Sequence, residues 1–169
     1  YNSTFAWKRK HPELPLSQAS RYNCPAPRQQ RGRERGMAKI LAINPDNPQP
    51  RLIAQAAELL RLGAVICYPT DTMYGIGCDI FNQKAVKRVY QIKGRPRDKP
   101  FSFMCASLTN ISQYGHVSNT AYRLMKKCLP GPYTFVLPGS KLVPRIMLTR
   151  QKTVGIRVPD SPICQALLP

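Results

Sequence analysis

The chain has 169 residues, 43% of them hydrophobic, and carries 26 Lys and Arg against 8 Asp and Glu for a formal charge of +18. That length suits about one domain, the apolar content excludes wholesale disorder, and no run of about 18 apolar residues is present to span a membrane as a helix. A field this positive attracts phosphates, whether of nucleotides, nucleic acid or an anionic surface.

Residues 1–36 differ in kind from the rest. They show no helical or alternating apolar period, hold four prolines, and carry +6 of the net charge, which leaves +12 on residues 37–169. The stretch "RGRERG" before Met37 is what purine-rich codons spell, as upstream of a bacterial start. Residues 1–36 are therefore read as a disordered, non-native leader translated in frame, with an organellar transit peptide as the alternative.

After Met37, "KILAIN" reads as a first strand. "PQPRLIAQAAELLRLG" places Leu52, Ile53, Ala56, Leu59 and Leu60 on one helical face and stops at Gly63. "AVICYP" is a buried strand ended by Pro69, and Met73–Cys78 a second strand across a polar turn. "NQKAVKRVYQIKG" is a helix with Ala85, Val86, Val89 and Ile92 on one face and Gly94 at its end. "PFSFMC" is a strand, "LTNISQYG" and "NTAYRLMKKCLPG" are helices, and "YTFVLPG" and "TVGIRVP" are strands. "PRIMLTR" is ambiguous. "SPICQALLP" opens a helix through Ile163, Ala166, Leu167 and Leu168 with nothing after it to pack against, as if the chain were cut short. The alternation predicts an α/β fold, one domain over residues 37–169 with a twisted mixed sheet flanked by helices and a basic concave site.

Six cysteines are scattered without CxxC or zinc spacing, and His11 and His116 are isolated. They point to a reducing compartment, taken as the cytoplasm, and to no protein-bound metal.

Three constellations carry chemistry. In "CYPTDTMYGIG", Thr70 and Thr72 follow a buried strand, at the strand end where open α/β sheets bind ligands; turn chemistry is the plainer alternative. "KGRPRDK" crowds Lys93, Arg95, Arg97 and Lys99 at a helix C-terminus. The dipole there is worth only about 0.3–1 kcal/mol per charge, so four crowded cations favour a bound anion, and arginine suits bidentate phosphate or carboxylate. In "KTVGIRVPD", strand alternation puts Thr153 and Arg157 on one face, with Gly155 between them opening room for a ligand. GxGxxG, GxxxxGK[ST] and defensible Ser-His-Asp or Cys-His sets are all missing.

In series, "YPTDTMYGIGCD", "KGRP…KP", "PGPYTFVL" and "TVGIRVPDSP" resemble the YrdC/YciO family, which includes the threonylcarbamoyl-AMP synthases of tRNA modification. The resemblance runs from about Lys39 to the chain end, and its details look nearest the YciO branch. It implies a nucleotidyltransferase that converts L-threonine, bicarbonate and ATP into threonylcarbamoyl-AMP and pyrophosphate, with Mg²⁺ arriving on the ATP. It also implies roles. Lys93 and Arg95 would be catalytic and hold the phosphates, Lys99 and Thr153 would contact nucleotide, and Thr70, Thr72 and Arg157 would bind L-threonine, Arg157 clamping its carboxylate. Where some synthases have a threonine-contacting His, Met104 stands here, and the family's nucleotide-contacting S-x-N motif would fall beyond Pro169. Two other readings are a module binding RNA, double-stranded RNA included, on the same basic surface, and a diverged YciO-type protein without synthase activity. Either a monomer or a homodimer is compatible with all of them.

Overall fold

The computed structural model describes residues 4–7 (backbone), 38–96 and 98–168. The leader reading, apart from residues 4–7, lies outside the described residues, as do Met37, His11, Cys24 and Arg97. The chain divides into two units, Tyr1–Arg9 with Ile43–Pro169 and Lys10–Ala42. In the second, only residues 38–42 are described, and they hold no helix or strand.

The first unit is a mixed α/β fold. Its strands form two three-stranded sheets rather than the one sheet expected. In the first, strand β3 (Tyr74–Asp79) is central, antiparallel to β2 (Ile66–Pro69) and parallel to β1 (Thr4–Trp7). β1 falls within residues 1–36, where no element was expected, whereas the strand expected at "KILAIN" does not form: residues 38–44 are irregular. In the second sheet β6 (Thr153–Arg157) is central, parallel to the two-residue β4 (Phe103–Met104) and antiparallel to β5 (Phe135–Pro138). The ambiguous "PRIMLTR" gives one 3₁₀ turn, Arg145–Met147.

Helix α1 (Pro50–Arg61) starts on a proline, whose missing N–H costs nothing at the first turn, and buries Ile53, Ala56 and Leu60. Helix α2 (Gln83–Lys93) is capped by the Asn82 side chain, which accepts the Ala85 amide at 3.1 Å, and closes on Gly94 at φ +57°, a conformation other residues adopt at a cost. Its buried face is Ala85, Val86, Val89 and Tyr90, while Ile92, expected inside, is exposed. At about 100° per residue, Ile92 lies outside the arc from Ala85 to Tyr90 and Lys93 inside it.

Helices α3 (Leu108–Tyr114) and α4 (Asn119–Cys128) follow, each N-capped by a serine, Ser107 and Ser118. The last helix, α5 (Pro162–Leu167), expected with nothing after it to pack against, finds its partners earlier in the chain. It packs on α1 and β2, with Ile163, Cys164 and Leu167 buried and Ala166 exposed. The main core joins both sheets and α2–α4 around Phe103, Tyr114, Met125 and Ile156, with the Phe103 and Tyr114 rings edge-on at 5.3 Å. Each such side chain contributes about 1.5–3 kcal/mol when fully removed from water. No helix among the described residues is long and apolar enough to cross a membrane.

Gly155 lies mid-strand in β6. A Cβ there would come within 2.7 Å of Ser102 Oγ and 3.3 Å of Thr134 Cγ2. The space expected to admit a ligand is thus filled by Ser102. Gly155→Ala is expected to lower unfolding stability by about 1–3 kcal/mol, the scale of overpacking, as read by urea denaturation.

Candidate functional site

The hairpin that joins β2 to β3 must turn within Thr70–Met73, and its sequence supplies the means. Thr70 Oγ1 donates to the Met73 carbonyl at 2.6 Å and accepts the Met73 and Thr72 amides at 3.1 and 3.2 Å, while the Thr70 amide closes the turn on the Met73 carbonyl. Such short-range hydroxyl bonds are why Thr favours turns.

Arg157, the last residue of β6, reaches this turn from the other sheet. Its side chain is 3% exposed. Nε donates to the Gly131 carbonyl at 3.1 Å, Nη1 to Thr72 Oγ1 at 3.3 Å, and Nη2 to Asp71 Oδ1 at 2.6 Å. The Asp71 carboxylate, 12% exposed at its side chain, therefore neutralises a buried guanidinium. Thr70, Thr72 and Arg157, singled out in the sequence, are brought together here. Asp71 was not singled out, although it stands between the two threonines; one acidic residue in a turn reads as turn chemistry, and only its partner 86 positions away gives it a role. Arg157 was expected to hold a substrate carboxylate directly, whereas its Nη2 is bound to Asp71.

Met104 is opposite Arg157 in the parallel β4–β6 ladder, so their side chains leave the same face. It is buried with Tyr68, Cys164 and Leu168. Cys164 donates its thiol to the Pro69 carbonyl at 3.2 Å, one residue before the turn. The Tyr68 hydroxyl is buried with no hydrogen-bond partner among the described residues. Burial above all holds its phenol well above the ordinary range, with Cys164 adding to the effect and Arg157 opposing it.

Lys93, Arg95 and Lys99 form a second group. Lys93 ends α2 on its buried arc and is half-buried, as is Arg95. Arg95 Nε donates to the Lys99 carbonyl at 2.8 Å, and its guanidinium lies 5.4 Å from the Phe101 ring centre. Lys99 is exposed. Lys99 precedes Met104 by five positions, at most about 18 Å of chain, so the basic loop leads directly into the strand that flanks Arg157. Thr153 is not brought to Arg157: the two occupy opposite ends of β6, about 13 Å apart along the strand. The Thr153 hydroxyl is bonded to Thr149 Oγ1 at 2.7 Å in the turn before β6.

Residues 58–169 match the Sua5/yciO/yrdC family model, whose description is telomere recombination. The chain belongs to the Sua5/YciO/YrdC family. It is 50% identical over 133 residues to the uncharacterized protein YciO of Escherichia coli K12, covering 78% of this chain and 65% of that one. The chain thus spans about two-thirds of the length of that relative. The crystal structure of E. coli YciO superimposes with a TM-score of 0.75 at 49% identity, over 78% of this chain and 64% of that one. Threonylcarbamoyl-AMP synthase of Bacillus subtilis is 40% identical over 129 residues, 75% of this chain and 36% of the synthase. The crystal structure of P. abyssi Sua5 complexed with L-threonine matches at TM-score 0.68 and 35% identity, covering 72% of this chain and 36% of Sua5. The family expected from the motifs, and its mixed α/β fold, are borne out.

Two buried thiols set a pH dependence. Burial pushes the Cys78 thiol from the ordinary 9.0 up to about 12 and, partly offset by a hydrogen bond from Ser161, the Cys164 thiol up to about 11. Above pH 9 the unfolded chain loses protons that the folded one keeps, so their contribution is complete below pH 9 and falls as pH rises. Urea midpoints are expected to drop between pH 9 and 10, and the double variant Cys78→Ala, Cys164→Ala to show a shallower drop over the same interval.

Proposed function

We propose that this protein is a threonylcarbamoyl-AMP synthase-type nucleotidyltransferase, forming threonylcarbamoyl-AMP from L-threonine, bicarbonate and ATP. The observation that carries the reading is the meeting of Thr72 with Arg157 across 85 residues, in a chain related to a Sua5 whose structure holds L-threonine. A site built from two distant segments has a cost in chain entropy that a plain turn does not require.

The chemistry needs few reactive side chains. The amine of L-threonine adds to the carbon of bicarbonate with loss of water, giving a carbamate. A carbamate oxygen then attacks the α-phosphorus of ATP, the bond to the bridging oxygen breaks, and pyrophosphate leaves. The protein's part is to position the reactants and offset developing negative charge. Lys93 and Arg95 hold the phosphates, Lys99 extends the cationic edge, and Thr153 contacts nucleotide from the far end of β6. Thr70, Thr72 and Arg157 form the L-threonine end. Mg²⁺ comes with ATP as part of the substrate; among the described residues no group of three or more His, Cys, Asp or Glu is placed to hold a metal ion.

A second reading is supported by the exposed Lys84, Lys87 and Arg88 on α2. Their i, i+3 and i+4 spacing gives one cationic helix face suited to a phosphate backbone, as RNA would present. It predicts steep salt dependence and little nucleotide preference.

Pyrophosphate release from ATP and bicarbonate, with and without L-threonine, tests the first reading on this chain and on the same chain extended to the stop codon of its reading frame. Threonine-dependent release in either protein is the expected result, and release independent of threonine in both is the result against it. The double variant Lys93→Ala, Arg95→Ala is expected to lower turnover at least 100-fold, the scale for losing charge-stabilising groups, with unchanged circular dichroism.

A further inference from the structure

The two hydroxyls of the turn are not equivalent. A threonine hydroxyl has one proton to donate and two acceptor sites. Thr70 uses all three within the turn: its proton goes to the Met73 carbonyl, and its oxygen takes the amides of Thr72 and Met73. Thr72 differs. Its oxygen receives Arg157 Nη1, and the 3.2 Å approach to Thr70 Oγ1 offers no open acceptor site. A hydroxyl oxygen that accepts from a guanidinium must turn its own proton away from it.

Why Nη1 aims at Thr72 follows from the shape of arginine. The guanidinium is a rigid planar fork. It is pinned at Nε by the Gly131 carbonyl and at Nη2 by Asp71 Oδ1, two points that fix the plane and hence the direction of Nη1. Burial divides the labour further. Arg157 is closed off from solvent, whereas Thr72 is exposed, so an incoming ligand meets the hydroxyl and not the guanidinium.

We infer that Asp71 is a positioning residue for substrate recognition: acting through Arg157, it aims the Thr72 hydroxyl proton outward, so that this point of the site donates to an oxygen of the amino-acid carboxylate. This rests on the functional reading above and changes one part of it. Arg157 serves the carboxylate through Thr72, with Asp71 as its permanent counter-ion. The 3.3 Å contact from Nη1 to Thr72 is expected to strengthen when an acceptor draws on the Thr72 proton, because hydrogen bonds in a chain polarise one another.

The test is a double-mutant cycle read by calorimetric binding of L-threonine and, in parallel, by binding of ATP. Thr72→Val keeps the shape and removes the hydroxyl; it is expected to weaken L-threonine roughly tenfold, the scale of one hydrogen bond to a charged group. Asp71→Ala is expected to weaken L-threonine by a similar factor and to leave ATP binding unchanged. Asp71→Asn, which keeps an acceptor for Nη2, restores most of that loss and serves as the second arm if the alanine variant fails to fold. In the Thr72→Val background either Asp71 change is expected to have no further effect on L-threonine. Additive losses, or weakening of ATP and L-threonine alike, overturn the inference, because a merely structural role would produce them. Unaltered L-threonine binding in both Asp71 variants overturns it too and leaves the functional reading standing. A wild-type protein that binds ATP but no L-threonine overturns the functional reading and this inference with it.

Discussion

A guanidinium that is shut away from water has to be neutralised in place, and Arg157 is neutralised by Asp71. Removing one member of a buried pair strands the other, at a cost of about 3–5 kcal/mol, so the bond at 2.6 Å holds the 70–73 turn against the end of β6. Because β2–β3 belong to one sheet and β6 to the other, the pair also joins the two sheets at the place where the turn opens. The Gly131 carbonyl adds a third segment to the junction. What looks from the sequence like a polar loop is thereby fixed at both its backbone and its side chains.

Around this junction the surroundings are graded. On one side Met104, Tyr68, Cys164 and Leu168 form a small apolar cluster that raises the thiol and phenol pKa values by withholding water. On the other the chain leads back from Phe101 to Arg95, whose guanidinium lies over a ring face and, among the described residues, meets no carboxylate. The cation–π contact is worth about 0.5–1 kcal/mol at such a half-exposed position. It orients the guanidinium without cancelling its charge, and that is the arrangement an anion requires.

Much of this was legible in the sequence, and the misses have physical causes. The helices α1 and α2 announced themselves through apolar period, a starting proline or Asn cap, and a closing glycine. Ile92 was misplaced because counting apolar residues ignores where the buried arc ends; Tyr90, amphipathic and easily read as surface, fills that arc. The "KILAIN" strand failed because a short apolar run does not say whether a partner edge is available. Thr70, Thr72 and Arg157 could be picked out by residue type and family motif. Asp71 could not, since its role consists in a contact between residues far apart in the chain. Gly155 was right as a place needing space and wrong about what uses the space, because a glycine in a strand reports a close approach without naming the visitor.

The separation of Asp71 from Arg157 by 86 positions has a consequence for how the protein is made. The turn, with its internal threonine bonds, is local and forms in microseconds once its residues are free. Its counter-ion pair is a contact of high sequence separation, slow to close. At about 5–20 residues per second the ribosome needs on the order of ten seconds to deliver Arg157 after Asp71. For that interval the nascent turn carries an unmatched carboxylate, exposed to the many lysines and arginines of its own chain, and the junction is completed only when β6 docks.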